Sequence, residues 1–328
     1  MSQDTPLIPF RRKGTVRMGE TGGNMIPRLD WQRFSVDSER DGVLQDVSRA
    51  LRDAGIARLC NHGIDPALIA EVFSQADRVF ELTEAEKRTL SMRPGRHNRG
   101  WVRSGSERLS NGTNVLERRE GFNIGLELPP GDSRVLTGQP FRGETPWPQI
   151  PGFRETMLDY FNAMLALGTS LHRAIALDLG LREDYFEPLF TDPLATLRLI
   201  TYPPGTGRDG ETGAGVHSDF GALSLLLTDD VPGLEVQLRN GTWIEVKPEQ
   251  GSFLILVGDV LAVWSAGAYV ATPHRVVLPG VRRRAVSFHF DPAPDAPVAP
   301  LPELSEGDAQ AQSYADYLAG RLAVAHRR

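Results

Sequence analysis

The second half of the chain consists of short segments in which apolar and polar side chains alternate. The alternation begins after Asp192 and has the period of a β-strand, with glycine, proline or Asn-Gly turns between the segments. Asn240-Gly241 separates two such segments and indicates a hairpin closed by a two-residue type I′ turn. The predicted strands are 196–202, 223–228, 234–239, 242–246, 252–256, 262–265, 274–277 and 283–290.

So many short strands within about 95 residues favour a closed or double-sheet antiparallel structure. The first half instead carries apolar residues at helical spacing, over 43–54, 68–80 and 153–180. The predicted fold class is therefore mainly β with flanking helices, with a double-stranded β-helix (jelly-roll) core and an N-terminal helical region. The predicted organisation is an extended arm (1–25), a helical and loop region packed on the core (26–190), the jelly-roll core (191–295) and a C-terminal tail with a helix (296–328).

Local signals in the first half predict one helix start and two exposed positions. Thr83 with Glu86 has the spacing of a capping box, which begins a helix. The charged run 117–120 is predicted to be a solvated surface. His172 lies off the apolar stripe of its helix and is predicted to be exposed.

The composition is that of a globular protein and limits its partners. With 328 residues, 40% of them hydrophobic, the chain can bury a sizeable core. A net charge of −6 gives no basic surface for nucleic acid, and no apolar run reaches the ~18 residues of a membrane helix. The single cysteine, Cys60, excludes an internal disulfide framework, and the N-terminus lacks a secretory signal. We therefore expect a cytoplasmic protein without nucleic-acid or membrane partners, and no obligate protein partner is evident.

Three residues of the second half form a candidate metal site. His217 and Asp219 are one residue apart, so on a strand their side chains would share a face, and His274 lies near the end of the strand series. Two histidines and one carboxylate on one face suit Fe(II) and leave the opposite positions open for an oxidant and a co-substrate. The same donors suit Zn(II), so a metal-dependent hydrolase or lyase on a cupin-like barrel is an alternative. An inert ligand-binding jelly roll is a further one.

Short motifs along nearly the whole chain occur in an order that matches a known pattern. In the first half they are Ile26-Pro27-x-Leu29-Asp30, Asn61-His62-Gly63 and Glu120-Gly121-Phe122-Asn123-Ile124-Gly125. In the second half they are Tyr202-Pro203-Pro204, His217-x-Asp219, Asp230-Val231-Pro232-Gly233-Leu234, Gly258-Asp259 and Thr272-Pro273-His274-Arg275-Val276. With these motifs the chain resembles the isopenicillin N synthase-like family of non-haem iron oxygenases, most of whose members depend on 2-oxoglutarate.

The resemblance implies a set of catalytic and metal-binding residues and a co-substrate site. The catalytic Fe(II) would be bound by His217, Asp219 and His274. An arginine nine or ten residues after the last histidine would pair with the distal carboxylate of 2-oxoglutarate, which leaves Arg283 and Arg284 as candidates.

Counting back from the closing motif Phe288-x-Phe290-Asp291-Pro292 favours Arg283 for this role, and Arg284 would point to the opposite face. Ala285 stands where the family usually has a serine, and a serine there would add one hydroxyl donor. Tyr202 stands where the family often has a tyrosine that reaches the co-substrate.

The implied activity is that of a non-haem iron 2-oxoglutarate-dependent dioxygenase with Fe(II), 2-oxoglutarate and O2. Such an enzyme hydroxylates or otherwise oxidises a small-molecule metabolite and releases succinate and CO2. An iron oxidase of the same family that uses no 2-oxoglutarate is an alternative, because the serine is missing. Trp101, Arg198 and Phe288 are expected to line the substrate pocket, and His289 is expected to face outside the barrel.

Overall fold

The computed structural model describes residues 26–92, 97–107, 116–205, 211–305 and 310–325. The predicted arm at 1–25 lies outside these residues, as does part of the predicted tail at 296–328.

Two β-sheets form the core of the protein. The strands in chain order are β1 (Arg28–Asp30), β2 (Ile56–Cys60), β3 (Gly100–Val102), β4 (Leu116–Glu117), β5 (Glu120–Gly125), β6 (Thr196–Tyr202), β7 (Glu211–Thr212), β8 (Ala214–His217), β9 (Leu223–Thr228), β10 (Leu234–Gln237), β11 (Trp243–Glu245), β12 (Phe253–Val257), β13 (His274–Val276), β14 (Arg283–Phe290), β15 (Pro297–Val298) and β16 (Gln312–Ser313). The major sheet has the order β1-β2-β12-β9-β14-β6-β5-β3, and the minor sheet has the order β11-β10-β13-β8. Neighbouring strands of these sheets are antiparallel except for β1 and β2. The predicted jelly-roll core is confirmed.

The described part of the chain also contains seven α-helices. They are α1 (Asp37–Arg49), α2 (Pro66–Glu81), α3 (Glu84–Thr89), α4 (Ser133–Leu136), α5 (Phe153–Asp178), α6 (Asp259–Trp264) and α7 (Tyr314–Ala325), with a π-helical turn at Ala50–Ala54 and 3-10 turns at Trp31–Ser35 and Glu187–Phe190. The long helix α5 contacts α1, α2 and β14. No helix in the described part of the chain combines the length and hydrophobicity that a membrane span requires.

Side chains that alternate along the strands of the major sheet pack into two separate hydrophobic cores. On β14, Phe288 and Phe290 join the core under the helices, whereas Ala285 joins the core between the two sheets. Gly168 of α5 lets the helix approach the sheet, since a Cβ there would lie 2.6 Å from the ring of Phe290. The major sheet therefore has one face against helices and one face directed into the jelly roll.

The predicted capping box is confirmed, and two other local predictions are corrected. Thr83 and Glu86 exchange the reciprocal hydrogen bonds that begin α3. The Asn240-Gly241 hairpin is present, but only Gly241 has positive φ and Leu238 bonds to Thr242 across the turn. The turn is thus a three-residue loop and not type I′.

Of the segment 262–265, predicted as a strand, residues 262–264 belong to helix α6 and Ser265 is its C-cap. A short run of apolar residues does not by itself distinguish a buried helix from a buried strand. Here Trp264 is fully buried, and its indole nitrogen donates to the carbonyl of Pro297 at 2.7 Å.

His172 is buried, which corrects the prediction of an exposed position. Its ring lies 4.6 Å from that of Phe190 and 4.8 Å from that of Phe290, and its Nδ1 lies 2.9 Å from the carbonyl oxygen of Gly168. Burial lowers the pKa of His172 to about 4. The neutral imidazole therefore serves as a core aromatic side chain.

Candidate metal centre

The three predicted metal ligands lie together at one end of the minor sheet. His217 ends β8 and His274 begins β13, and the antiparallel register places these two residues opposite each other. Nε2 of His217 lies 3.9 Å from Oδ1 of Asp219, and Nε2 of His274 lies 3.8 Å from the same oxygen. The three donor atoms all lie within 4.8 Å of one another, so one cation can contact all of them.

Backbone carbonyls set the orientation of both imidazoles. Nδ1 of His217 lies 2.8 Å from the carbonyl oxygen of Gly215, and Nδ1 of His274 lies 3.1 Å from that of Thr272. A carbonyl accepts only, so each Nδ1 carries the proton and each Nε2 presents its lone pair to the other ligands. Metal-binding histidines are commonly held by this arrangement.

The electrostatic environment favours the metal-binding protonation states of His217 and Asp219. Burial, followed by the charge on His274, lowers the pKa of His217 well below its ordinary value. Burial opposes ionisation of Asp219, but His274, His289 and His217 outweigh it and hold the pKa of this carboxyl below its usual range. Neutral imidazole and ionised carboxylate are the forms that bind a cation.

A cavity of about 130 Å³ adjoins the three residues. Since one water requires only ~10–15 Å³ of such space, the cavity has room for a small organic molecule. Its lining includes the apolar side chains Leu226, Leu234, Leu256 and Val276, which come from both sheets.

Arg283 lies in this cavity and fits a carboxylate ligand. It is 1% exposed, and its guanidinium lies 5.1 Å from the ring of Tyr202, the residue opposite it on β6. Its Nε donates to the carbonyl of Val231 at 3.3 Å, while its buried Nη1 has no partner among the described residues. A buried guanidinium with an unused donor is suited to bind an anionic group.

Arg284 points away from the cavity. Its side chain bonds to Asp229 and Asp77 on the outer side of the sheet, and its guanidinium lies 5.1 Å from the ring of Phe73. Of the two candidate arginines, only Arg283 therefore faces the histidines, and Ala285 shares its face of β14.

The run 117–120 is not a solvated surface, because two of its residues belong to a buried ionic network. Arg119 contacts Glu117 and Glu107, each at 3.2 Å, and Glu107 also bonds to Arg198. Burial disfavours the charge on Arg119, but Glu107 and Glu117 outweigh it and raise the pKa of the guanidinium.

This network reaches the metal centre through one residue of β8. The backbone N–H of Gly215 donates to Glu117 at 3.0 Å, and the carbonyl of Gly215 accepts from His217. Glu107, Arg119 and Arg198 line the cavity. Arg198, one of the residues expected to line the substrate pocket, thus lies in this cavity.

The placements expected for Trp101, Phe288 and His289 are corrected. His289 faces the cavity, where its ring nitrogens contact Ser224 at 2.9 Å and Ser287 at 3.2 Å. Burial lowers its pKa. Phe288, the preceding residue, points into the core beneath the helices, so alternation along β14 explains both positions.

Trp101 is only 5% exposed and donates from its indole nitrogen to Glu120 at 2.5 Å. It lies on β3 at the edge of the major sheet. Neither Trp101 nor Phe288 is among the described residues that line the cavity.

Several cavity residues lack a recognisable sequence pattern. Asn123 is 1% exposed and pairs with Arg198 across β5 and β6, so strand register could have identified it once Arg198 was suspected. Phe220, adjacent to Asp219, and Leu318 and Leu322 of α7 also line the cavity. The α7 residues come from a distant part of the chain, and no local pattern connects them with the histidines.

Sequence comparisons match most of the chain to two families. Residues 26–150 match the family described as non-haem dioxygenase in morphine synthesis N-terminal, and residues 193–292 match the 2OG-Fe(II) oxygenase superfamily. A homoarginine-6-hydroxylase of Oryza sativa subsp. japonica is 34% identical over 285 residues, which are 84% of this chain and 86% of the relative. A probable iron/ascorbate oxidoreductase of Dictyostelium discoideum is 32% identical over 298 residues, 81% of each chain.

Solved structures agree with these matches. The crystal structure of a full-length Neurospora crassa protein in complex with alpha-KG has a TM-score of 0.81 and 26% identity, covering 93% of this chain and 98% of that one. A putative 2OG-Fe(II) oxygenase family protein from Caulobacter crescentus has a TM-score of 0.79 and 27% identity, covering 92% and 99%.

Proposed function

Because this chain belongs to the isopenicillin N synthase-like family of Fe(II)- and 2-oxoglutarate-dependent oxygenases, we propose that His217, Asp219 and His274 hold its catalytic Fe(II). The protein is a non-haem iron 2-oxoglutarate-dependent dioxygenase that acts on small-molecule substrates. The observation that carries the ligand assignment is the convergence of the three donor atoms within 4.8 Å. Because the family match and the names of the relatives support a 2-oxoglutarate-dependent oxygenase, the alternatives of an iron oxidase without 2-oxoglutarate and of a hydrolase or lyase are not retained.

Fe(II) and 2-oxoglutarate, when bound, supply the oxidation of a substrate carbon by O2 with release of succinate and CO2. The chain's own residues orient the reactants and exclude water. The carbonyls of Gly215 and Thr272 fix the imidazole planes. The apolar side chains that both sheets contribute to the lining limit the access of water to the ligands.

For 2-oxoglutarate we propose Arg283 as the partner of the distal carboxylate and Tyr202 as its neighbour. The unpartnered Nη1 of Arg283, its near-complete burial and its place in the same cavity as the histidines support this. A guanidinium can form two parallel hydrogen bonds to a carboxylate, and it remains charged when buried. Tyr202 lies under the guanidinium and restricts its movement.

For the substrate we propose a small polar molecule held at the Arg198 and Asn123 side of the cavity. Nε of Arg198 and Oδ1 of Asn123 are buried and have no hydrogen-bond partner among the described residues. The Nε–H of Arg198 can donate a hydrogen bond to a ligand, and Oδ1 of Asn123 can accept one from the same ligand. The homoarginine that one relative's name states and the thymine bound in one structure of the Neurospora crassa protein both carry N–H and carbonyl or carboxyl groups.

The central test is an anaerobic titration of the purified protein with Fe(II) and 2-oxoglutarate, followed by visible absorption. We expect a metal-to-ligand charge-transfer band in wild type and its loss in His274→Ala, because two remaining ligands hold the metal poorly. Arg275→Gln serves as the matched control and should keep the band, because it changes the residue next to His274 and removes only the ion pair of Arg275 with Glu235. An unaltered band in His274→Ala would exclude His274 as a ligand.

Substrate class is tested by succinate release with candidate molecules. We expect a small polar compound with N–H and carbonyl groups to raise succinate formation above the rate without substrate. The same compound should lose its effect in Asn123→Leu, which removes the amide. Equal stimulation of wild type and Asn123→Leu would contradict the proposed position of the substrate.

We further propose that the protein works in the cytoplasm, on a free metabolite and without nucleic-acid, membrane or obligate protein partners. The acidic net charge of −6 and the single free cysteine support this. Fractionation of native cells, with detection of the protein by antibody, tests the compartment, and recovery in a secreted or membrane fraction would contradict it.

A further inference from the structure

The C-terminal helix α7 forms one wall of the metal cavity. Leu318 and Leu322 line the cavity on the side of Phe220, and Leu318 is only 7% exposed. Leu322 and Asn98 also line a second, outer cavity. The helix therefore contributes side chains to the walls of both cavities.

One carboxylate outside the ligand set connects α7 with the segment that carries the metal ligands. Oδ1 of Asp259 accepts from the hydroxyl of Ser218 at 2.7 Å. Its Oδ2 accepts from the hydroxyl of Tyr317 at 2.9 Å and from the guanidinium of Arg321, both on α7. Ser218 is the residue between His217 and Asp219.

The other neighbour of Asp219 also contacts this helix. The guanidinium of Arg321 lies 4.4 Å from the centre of the Phe220 ring. Both residues that flank Asp219 in the chain are thus attached to α7, Ser218 through Asp259 and Phe220 through Arg321. A displacement of α7 would release both of these contacts.

The backbone around Asp259 is held to the same segment. The N–H groups of Gly258, Asp259 and Val260 donate to the carbonyls of Ala222, Asp219 and Gly221, at distances between 2.8 and 3.0 Å. A Cβ at Gly258 would lie 2.2 Å from the carbonyl oxygen of Gly221, so this approach requires glycine. These bonds fix Asp259 relative to the metal ligand, and only its side chain extends the connection to α7.

We propose that Asp259 is a positioning residue that couples the seating of α7 over the cavity to the placement of Asp219. The proposal rests on the assignment of Asp219 as an iron ligand. Asp259 would contact neither the metal nor the co-substrate. It would instead hold α7 in place as a wall of the cavity and help to position the ligand Asp219. A carboxylate that accepts three side-chain hydrogen bonds is lost only at a measurable cost to each group that it holds.

Asp259→Asn is the decisive variant, and Asp178→Asn is its matched control. Asp178, the last residue of α5, likewise accepts hydrogen bonds from one arginine and one tyrosine, Arg52 and Tyr269. None of these three control residues lines the metal cavity. The two substitutions therefore remove the same kind of contact at a site that involves the cavity and at one that does not.

Two readouts distinguish a positioning role from a purely structural one. The first is trypsin cleavage after Arg321 in native buffer, followed by mass spectrometry, which reports how often α7 detaches. The second is the Fe(II) dissociation constant at saturating 2-oxoglutarate, measured anaerobically from the charge-transfer band. Thermal unfolding of each variant provides the measure of general destabilisation.

In Asp259→Asn we expect cleavage after Arg321 to accelerate roughly tenfold, because charge-assisted bonds to α7 are lost. We expect the Fe(II) dissociation constant to rise by roughly three- to tenfold, at or below the effect of losing a group bonded directly to a ligand. Asp178→Asn should change both by less than about twofold. Tyr317→Phe removes one hydrogen bond without altering the carboxylate, so it should change cleavage in the same direction by roughly fivefold or less even if Asp259→Asn folds poorly.

The proposal is overturned if Asp259→Asn matches Asp178→Asn in both readouts, or if α7 detaches while the Fe(II) dissociation constant is unchanged. Failure of the underlying function gives a different result, since wild type itself would then form no charge-transfer band.

Discussion

The assignment of the co-substrate arginine leads to a quantitative test with Arg283→Gln. The guanidinium is 1% exposed and has an unpartnered Nη1, so a carboxylate paired with it is shielded from water. Removing one partner of such a pair costs ~2–4 kcal/mol, which is a roughly 30- to 800-fold rise in the 2-oxoglutarate dissociation constant. Arg284→Gln is the neighbouring control. Its side chain is 35% exposed and bonded to carboxylates on the outer side, so the same constant should change by less than about threefold.

Thermal stability provides a second test, in which the two variants are expected to change in opposite directions. Without 2-oxoglutarate, the described residues provide no carboxylate partner for the buried Arg283, so Arg283→Gln should leave the free protein as stable as wild type or more stable. Wild type should gain ~2.7 kcal/mol at 2-oxoglutarate concentrations of about 100 times its dissociation constant, and the variant should gain less than about 1 kcal/mol at the same concentration. Arg284→Gln should behave oppositely, losing stability through Asp77 and Asp229 while keeping the ligand-induced gain.

The assay is titration of 2-oxoglutarate into the anaerobic Fe(II) protein, with thermal unfolding run in parallel. The reasoning is refuted if Arg283→Gln binds 2-oxoglutarate like wild type, and most clearly if Arg284→Gln at the same time loses binding.

Three further predictions concern single residues. Ala285→Ser, on the same face as Arg283, should tighten 2-oxoglutarate by up to about tenfold in the same titration if the hydroxyl donates to the carboxylate; weaker binding would show that the hydroxyl finds no acceptor. His172→Phe should make the protein less sensitive to acid. Burial lowers the pKa of His172 in the folded protein to about 4, so the stability contributed by the neutral ring is fully present above pH 6.5 and is lost as the pH falls through about 4. This loss amounts to ~3 kcal/mol in wild type and should be absent from the variant. Urea unfolding at pH 7.5 and pH 4 measures this, and equal acid losses in the two proteins would contradict it. Cys60→Ser should retain most activity and the Cys60 thiol should react slowly with thiol reagents, because burial raises its pKa; rapid inactivation of wild type but not of the variant would refute this.

The strand pattern predicts the jelly roll because the period of two is imposed by the sheet itself. The bounds of β6, β9 and β14 agree with the predicted ranges 196–202, 223–228 and 283–290. The proximity of His217 and His274 is expected from the ligand pattern, and the register of β8 with β13 provides it. Segments whose pattern is fixed by local geometry are therefore accessible from sequence.

The wrong placements on β14 can be corrected with the same rule. Once Arg283 is placed on the inner face, alternation requires Ser287 and His289 to share it and Phe288 to face the helices. The parity of the strand is thus a better guide to the cavity lining than the size or aromatic character of a side chain.

Other features depend on contacts between distant parts of the chain. Glu117 and Arg119 look like surface residues because their partner Glu107 and the amide of Gly215 are brought to them only by folding. In the α6 segment Val260, Leu261 and Trp264 are buried on one helical face while Val263 is 36% exposed, and the short run predicted as a strand does not reveal this spacing. Tertiary burial, and not local propensity, decides such positions.

The buried network of Glu107, Glu117, Arg119 and Arg198 limits how this cavity can evolve. Replacing Arg119 alone by a neutral residue breaks its buried ion pairs with Glu107 and Glu117, at a cost of ~3–5 kcal/mol, whereas replacing a contacting pair with apolar residues of similar volume is often neutral. New substrate preferences at this end of the cavity should therefore arise through paired substitutions, with each single mutant less fit than either end point. A substitution of Glu117 would also affect His217, because Glu117 accepts from the N–H of Gly215 and the carbonyl of Gly215 accepts from His217. Selection for a new substrate is therefore coupled here to retention of the metal.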